Sequence, residues 1–309
     1  MRVTHGTIQP GGGPVGLTIG NFDGVHRGHR AMLARLVASA RELKLPACVL
    51  TFEPHPREFF TPAAAPARLT RLREKLELIA ETGVARVHLL RFDARLAALG
   101  AERFVEEVLI RGLGVRWLLV GRDFRFGAKR TGDFALLESS LPPRGIGLEA
   151  MPEVMHAGER VSSSAVRAAL VAGDLAAAAQ LLGRDYLMSG RVAHGERLGR
   201  ALGFPTANIV LRRRPPLAGI FAVEAEIEEI HQRMRGVASV GRRPTVKENA
   251  APLLEVHLFD FDGLIYGRHL RVKFLEKLRD EEKYDGLDAL RSAIGRDVAQ
   301  ARDYFESHG

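Results

Sequence analysis

Cysteine is almost missing from this chain: Cys48 is the only one in 309 residues, so no disulfide can form within it. A lone thiol in the apolar run 47–50 reads as a small core residue and fits a reducing cytoplasm. Long apolar runs are missing too. None reaches the ~18 residues that cross a bilayer as a helix. The most apolar stretch, 165–182, is broken by Arg167, Asp174 and Gln180. The opening residues MRVTHG lack the charged start followed by an apolar stretch that marks a secretion signal. These absences predict a cytoplasmic protein without a membrane partner. Internal repeats and low-complexity linkers are also absent.

What is present is ordinary globular material, with 46% hydrophobic and 27% charged residues, which excludes a disordered or collagen-like chain. At roughly 150 residues per domain the length predicts two domains. Lys and Arg outnumber Asp and Glu by 45 to 37, a formal charge of +8. That excess points to an anionic partner, whether nucleotide, nucleic acid or membrane surface.

From about residue 15 to 182, short apolar runs alternate with helical patterns. Residues 15–19, 46–51, 84–90 and 115–120 read as strands. Residues 29–43 read as an amphipathic helix, with Met32, Leu33, Leu36, Val37 and Ala40 on one face, and 72–80 repeats that spacing. The order predicts an α/β domain, a doubly wound parallel sheet with helices on both faces. Ligands of such sheets bind outside the carboxyl ends of the strands, so the segments after residues 19, 51 and 120 gain interest. Beyond Leu182 the pattern changes. Runs at 186–193, 219–227, 233–240, 252–261 and 270–275 read as strands joined by turns, and 287–305 as a closing helix. This predicts a small antiparallel β-barrel with a terminal helix. The expected domains are 1–183 and 184–309.

Residues 20–29 read GNFDGVHRGH, between the first strand and a helix. Gly20 and Gly24 allow a tight turn and close approach to a ligand, and Gly28 leaves the helix start open. His26 and His29 share one face at the helix N-terminus, where partial positive charge and free N–H groups suit phosphate. Two imidazoles there can donate to charge building on a phosphoryl group under attack. On its own, a His-x-x-His pair reads equally as a cap or a metal site. The whole segment resembles the signature of the HxGH nucleotidyltransferases, and in particular the bacterial bifunctional riboflavin kinase/FMN adenylyltransferase (FAD synthetase) family. The resemblance runs from about residue 15 to 305.

For the first domain the resemblance implies an ATP site built from Gly20, Phe22, Asp23, Gly24, His26 and His29. It adds Asp123 from the aromatic and basic loop GRDFRFG at 121–127, and Arg160, Ser163, Ser164 and Arg167 from RVSSSAVR at 160–167. The serines by themselves read as helix caps. With the two arginines they form an anion site suited to pyrophosphate. The segment TFEPHP at 51–56 resembles the family's flavin-side loop, which implicates His55 and Pro56.

In the second half, 194–208 reads HGERLGRALGFPTAN, without the Gly-Lys-Ser/Thr ending of a Walker A loop. It resembles the riboflavin kinase flap, implicating Gly195, Gly199, Arg200, Thr206 and Asn208 in ATP binding. Thr206 and Asn208 offer hard oxygen ligands for Mg²⁺. The run 254–262 alternates, so Glu255, His257 and Phe259 share one strand face. A carboxylate facing a barrel interior is costly unless it has a task. Glu255 matches the family's general base. GRRPT at 241–245 is similar to a family motif, and Ser239 stands just before it where relatives usually carry Asn.

The resemblance therefore implies two ATP-dependent reactions: riboflavin to FMN with release of ADP, and FMN to FAD with release of pyrophosphate. Mg²⁺ is the implied metal. No nucleic-acid partner is expected, and an oligomer is possible but not implied. Two other readings stay open from the residues. One is an adenylyltransferase for a different phosphomonoester with a barrel that only binds flavin. The other is a basic nucleic-acid-binding barrel.

Overall fold

The computed structural model describes residues 1–6, 13–195, 198–211, 213–241 and 251–308. The chain divides into two compact units, 1–66 with 70–161, and 67–69 with 162–309.

In the first unit, β1 (Arg2–His5), β2 (Val15–Ile19), β3 (Ala47–Glu53), β4 (Arg86–Arg91), β5 (Val115–Gly121) and β6 (Gly147–Met151) form one sheet. Its order is β1-β4-β3-β2-β5-β6, and every pairing is parallel. The helices are α1 (Arg27–Glu42), α2 (Pro56–Phe60), α3 (Leu72–Ala80), α4 (Ala94–Ala97), α5 (Ala101–Arg103) and α6 (Phe134–Ser140). A π-helix, Phe104–Gly112, continues α5. Alternate strand residues face opposite layers. Val49, Trp117 and Leu119 pack with Leu33 and Leu36 of α1 and Ile79 of α3. Cys48, Leu50, Leu118 and Val120 pack with Phe104, Leu109 and Leu137 on the other side. Burial on both faces is why these strands read as continuous apolar runs. A small hairpin, β7 (Met155–His156) and β8 (Glu159–Arg160), follows the sheet.

The second unit contains α7 (Ser163–Ala172) and α8 (Leu175–Leu182), each stopped by a left-handed glycine, Gly173 and Gly183. Six strands follow: β9 (Tyr186–Arg191), β10 (Ala207–Val210), β11 (Gly219–Ile227), β12 (Gln232–Gly241), β13 (Leu253–Leu258) and β14 (His269–Arg279). They pair antiparallel in the order β10-β13-β12-β11-β14-β9. A bridge between Ala193 and Asn208 brings the two ends of the sheet together, so it curls into a small barrel. Phe221, Val223, Leu254 and Val256 are fully buried on its inner face. Ile220, Ala222 and Val237 face outward, under Ala301 and Phe305 of α10 (Leu287–His308). The short helix α9 (Leu198–Ala201) lies between β9 and β10.

Candidate active sites

The carboxyl ends of β2, β3, β4 and β5 lead into the loops of the first site. After β2, the Gly20 N–H donates to the Leu50 carbonyl at 3.1 Å. Phe22 (φ 48°) and Val25 (φ 41°) both hold left-handed backbone that a bulky or β-branched residue rarely adopts. Complete burial of both side chains keeps them there. Asp23 is also buried. Its Oδ1 accepts from the Thr70 N–H at 3.1 Å and the Thr70 hydroxyl at 3.2 Å. The same hydroxyl accepts from the Gly24 N–H at 3.1 Å. Asp23 thus braces the loop from behind.

His26 caps α1, with its Nδ1 accepting the His29 N–H at 3.3 Å. That bond leaves Nε2 as the ring's donor. The two imidazoles stack, with centroids 3.6 Å apart and planes 18° from parallel. Gly28 explains how they fit. A Cβ there would stand 3.2 Å from His26 ring atoms and 3.5 Å from the Val161 carbonyl. No acidic residue occupies the first turn of α1.

After β3, His55 caps α2: its Nδ1 accepts the Arg57 N–H at 3.1 Å, and its own N–H donates to Glu58 at 3.2 Å. Pro56 takes the first helical position. The pair therefore sets the start of α2, which carries Phe59 and Phe60. Both rings lie against Phe92, at 5.5 and 5.6 Å, and Phe92 meets Phe52 at 5.9 Å. Phe60 is 61% exposed. The result is an open aromatic surface at the carboxyl edge. Sequence reasoning missed it because the segment after β4, where Phe92 stands, was not among those singled out. The adjacent Phe59-Phe60 was the available signal.

After β5, Phe124 and Phe126 stack at 5.4 Å, and Arg125 pairs with Asp133 at 3.0 Å. Asp123 and Arg160 come together, Oδ2 to Nη2, at 2.5 Å. Arg160 also holds Glu153 through Nη1 at 2.8 Å. In the second unit Ser162, rather than Ser163 or Ser164, caps α7, accepting the Ala165 N–H at 3.1 Å. Arg167 donates to the Ala67 carbonyl at 2.6 Å and the Ser163 carbonyl at 3.1 Å.

The barrel site centres on β13. Glu255 lies directly opposite Asn208 of β10 on one side and Ser239 of β12 on the other. Antiparallel partners of this kind bring side chains into reach. The structure corrects one expectation here: Glu255 points outward, because its neighbours Leu254 and Val256 fill the barrel. Asn208 is buried. Its Nδ2 donates to the Thr206 carbonyl at 3.2 Å, while its Oδ1 has no hydrogen-bond partner among the described residues. A Cβ on Gly195 would stand 2.5 Å from that amide, so the flap backbone lies directly on Asn208. Gly199 is equally close to the Phe204 carbonyl. His257 accepts no role in the sequence reading, yet it anchors the flap through a 2.9 Å contact with the Pro205 carbonyl. His194 stacks on Tyr266 at 4.0 Å.

A cavity of about 300 Å³ opens beside the flap, lined among others by Arg200, Thr206, Val256, Phe261 and Tyr266. Val256 is on the inner face of β13 and Glu255 on the outer. Glu281 is near the carboxylate as well: burial, and then the charge of Glu255, push its carboxyl above the usual range. The segment carrying Glu281 is tied to α10 by a two-bond pair of Arg279 with buried Asp297, both at 2.7 Å. The motif residues Glu196, Arg197 and 242–245 lie outside the described residues.

Among the described residues no group of three or more His, Cys, Asp or Glu is placed to hold a metal. The oxygens of Thr206 and Asn208 do fit one that arrives with phosphate. The buried Asn208 Oδ1, without a partner among the described residues, is the observation in favour.

Comparison with known proteins agrees with this division of chemistry. A family model described as FAD synthetase matches residues 12–165, and one described as riboflavin kinase matches 182–305. A bifunctional riboflavin kinase/FMN adenylyltransferase of Pseudomonas fluorescens is 51% identical, over 92% of this chain and 91% of its own. One from Escherichia coli K12 is 49% identical, over 94% and 92%. A crystal structure from Streptococcus pneumoniae, described as a macrolide-efflux protein, shares the fold with a TM-score of 0.79 and 28% identity, over 96% and 97% of the two chains. Among the described residues no helix is long and apolar enough to cross a membrane. With both domain models matched in order and close relatives aligned over nearly their whole length, the chain belongs to the bifunctional riboflavin kinase/FMN adenylyltransferase family.

Proposed function

We propose that the chain carries its family's two reactions on separate sites, with residues 184–309 as the kinase and 1–183 as the adenylyltransferase. In the kinase, Glu255 takes the proton from the riboflavin 5′-hydroxyl. The oxygen then attacks the γ-phosphorus of ATP, its bond to the β-phosphate oxygen breaks, and FMN and ADP result. Arg200 and the flap glycines Gly195 and Gly199 hold the ATP phosphates. Thr206 and Asn208 would hold Mg²⁺, which supplies neutralising charge to those phosphates when bound. The ATP phosphates and the riboflavin hydroxyl meet on the face of β13 that carries Glu255, opposite Asn208. The observation that carries this reading is the pairing of Asn208 with Glu255 across two neighbouring strands, which puts the assigned metal ligand and the assigned base on one face.

In the adenylyltransferase, an oxygen of the FMN phosphate attacks the α-phosphorus of ATP and pyrophosphate leaves. Gly20 and Gly24 let the backbone approach the nucleotide, and Phe22 and Asp23 fix that loop. His26 and His29 donate to the charge that develops on the α-phosphate. Arg160 serves the same nucleotide, with Asp123 beside it at the edge of the site, and Ser163, Ser164 and Arg167 are assigned to pyrophosphate on their sequence pattern. His55 and Pro56 set up α2, whose phenylalanines offer a flat apolar face to the isoalloxazine ring. Riboflavin, FMN, FAD, ATP, ADP and pyrophosphate are the small-molecule partners, and the cytoplasm is the proposed location.

Chromatography of products from riboflavin, ATP and Mg²⁺ tests the scheme, with FMN appearing before FAD. Glu255→Gln should slow FMN formation by about 10²–10⁴ and spare FAD formation from supplied FMN. His29→Ala should do the reverse, by about 10²–10³. Equal loss of both activities in either variant would overturn the separation of sites.

A further inference from the structure

Arg160 is not open to an incoming phosphate in this structure. Its Nη2 is engaged by Asp123 at 2.5 Å and its Nη1 by Glu153 at 2.8 Å. Two carboxylates on one guanidinium give a local charge of −1, which opposes a triphosphate. The arrangement is built from three places in the fold. Asp123 follows β5, Glu153 follows β6, and Arg160 is on β8. Gly121 lets Asp123 fold back over the strand end, since a Cβ there would stand 2.7 Å from its Oδ1. The Ala157-Gly158 turn, with φ of 49° and 83°, returns β8 alongside β7.

The three side chains are half exposed, at 49% for Arg160, 63% for Asp123 and 57% for Glu153. Ion pairs this exposed are weak and exchange readily. A phosphate carries more charge than a carboxylate and takes the same two-bond geometry on a guanidinium.

We propose that Asp123 and Glu153 are stand-ins for the triphosphate: they park Arg160, and ATP for adenylylation binds by displacing them. The inference rests on the assignment of Arg160 to ATP. Glu153 then sets ATP affinity without taking part in the chemistry. ATP binding exchanges one partner of Arg160 for another, and no covalent bond changes.

The test uses the full chain and measures KM for ATP and kcat in FAD formation from FMN, for Glu153→Gln, Arg160→Ala and the double variant. Removing one exposed carboxylate should lower KM by roughly two- to fivefold, with kcat unchanged. Arg160→Ala should raise KM, and in that background Glu153→Gln should have no effect. An unchanged or raised KM in Glu153→Gln, with Arg160→Ala still weakening ATP, overturns the parking role alone. An unchanged KM in Arg160→Ala overturns the assignment of Arg160 to ATP, and the inference with it.

Discussion

At the scale of single residues, the glycines of the two sites have reasons that only coordinates supply. The motif at 20–29 suggests phosphate binding from its sequence, but only the coordinates show that Gly28 makes room for a neighbouring imidazole. Gly195 is the sharper case. A methyl group there meets the Asn208 amide at 2.5 Å, so the flap must lift or the amide must turn. Gly195→Ala should lower the rate of FMN formation about ten- to hundredfold and leave FAD formation from FMN intact, which parallel assays of the two steps would check. Glu255 was legible as the acid on an alternating strand. Its outward direction was not, because alternation says which residues share a face and leaves open which face is the core. Cys48 behaves as the sequence suggests: it is buried, and burial pushes its thiol up to about 12, outside the range of reactive cysteines.

At the scale of elements, agreement is best where burial is continuous. The strand at 15–19 and the helix at 72–80 fall where their patterns place them, and so does the strand at 219–227. β1 and β6 escaped notice because each is short and lacks an apolar run of its own, and β10 because it begins inside the motif at 194–208. The loop after β2 depends on a residue far away in sequence. Thr70 satisfies both buried Asp23 and the Gly24 N–H, and nothing local to residues 20–29 reveals it. Thr70→Val removes the hydroxyl and leaves two buried groups short of a bond. It should cost about 1–3 kcal/mol and lower adenylylation while kinase activity persists. Trp117 is the only tryptophan and packs in the first sheet. Its fluorescence during urea unfolding therefore reports this unit by itself.

At the scale of the whole molecule, the basic excess now has destinations. Arg160 and Arg200 sit where phosphates are assigned, and many other arginines pair with surface acids such as Arg35 with Glu149. One titrating group ties the first sheet to pH. His88 on β4 is buried, and desolvation is the main force lowering its pKa below the ordinary imidazole value. Thr4 and the Gly6 carbonyl hold the ring at 2.8 and 3.3 Å. A histidine held neutral by the fold contributes its stability above about pH 6.5. That contribution is lost as pH falls through the lowered value, since the unfolded chain then binds the proton first. Unfolding followed by Trp117 should show stability of this unit falling from pH 7 to 5, and less steeply in His88→Asn. The fold classes were legible from the period of the apolar pattern, and the pairing orders of the sheets were not, because period carries no information about neighbours. A last consequence concerns the tolerance of the chain to length changes. β13 places Glu255 on one side and the core residues Leu254 and Val256 on the other, residue by residue. Deleting or inserting one residue within 253–258 would exchange those sides and bury the charge in the barrel. The turn at 259–268, outside the ladder, can change length without that exchange. Viable length variants should therefore accumulate in that turn and be missing from the strand.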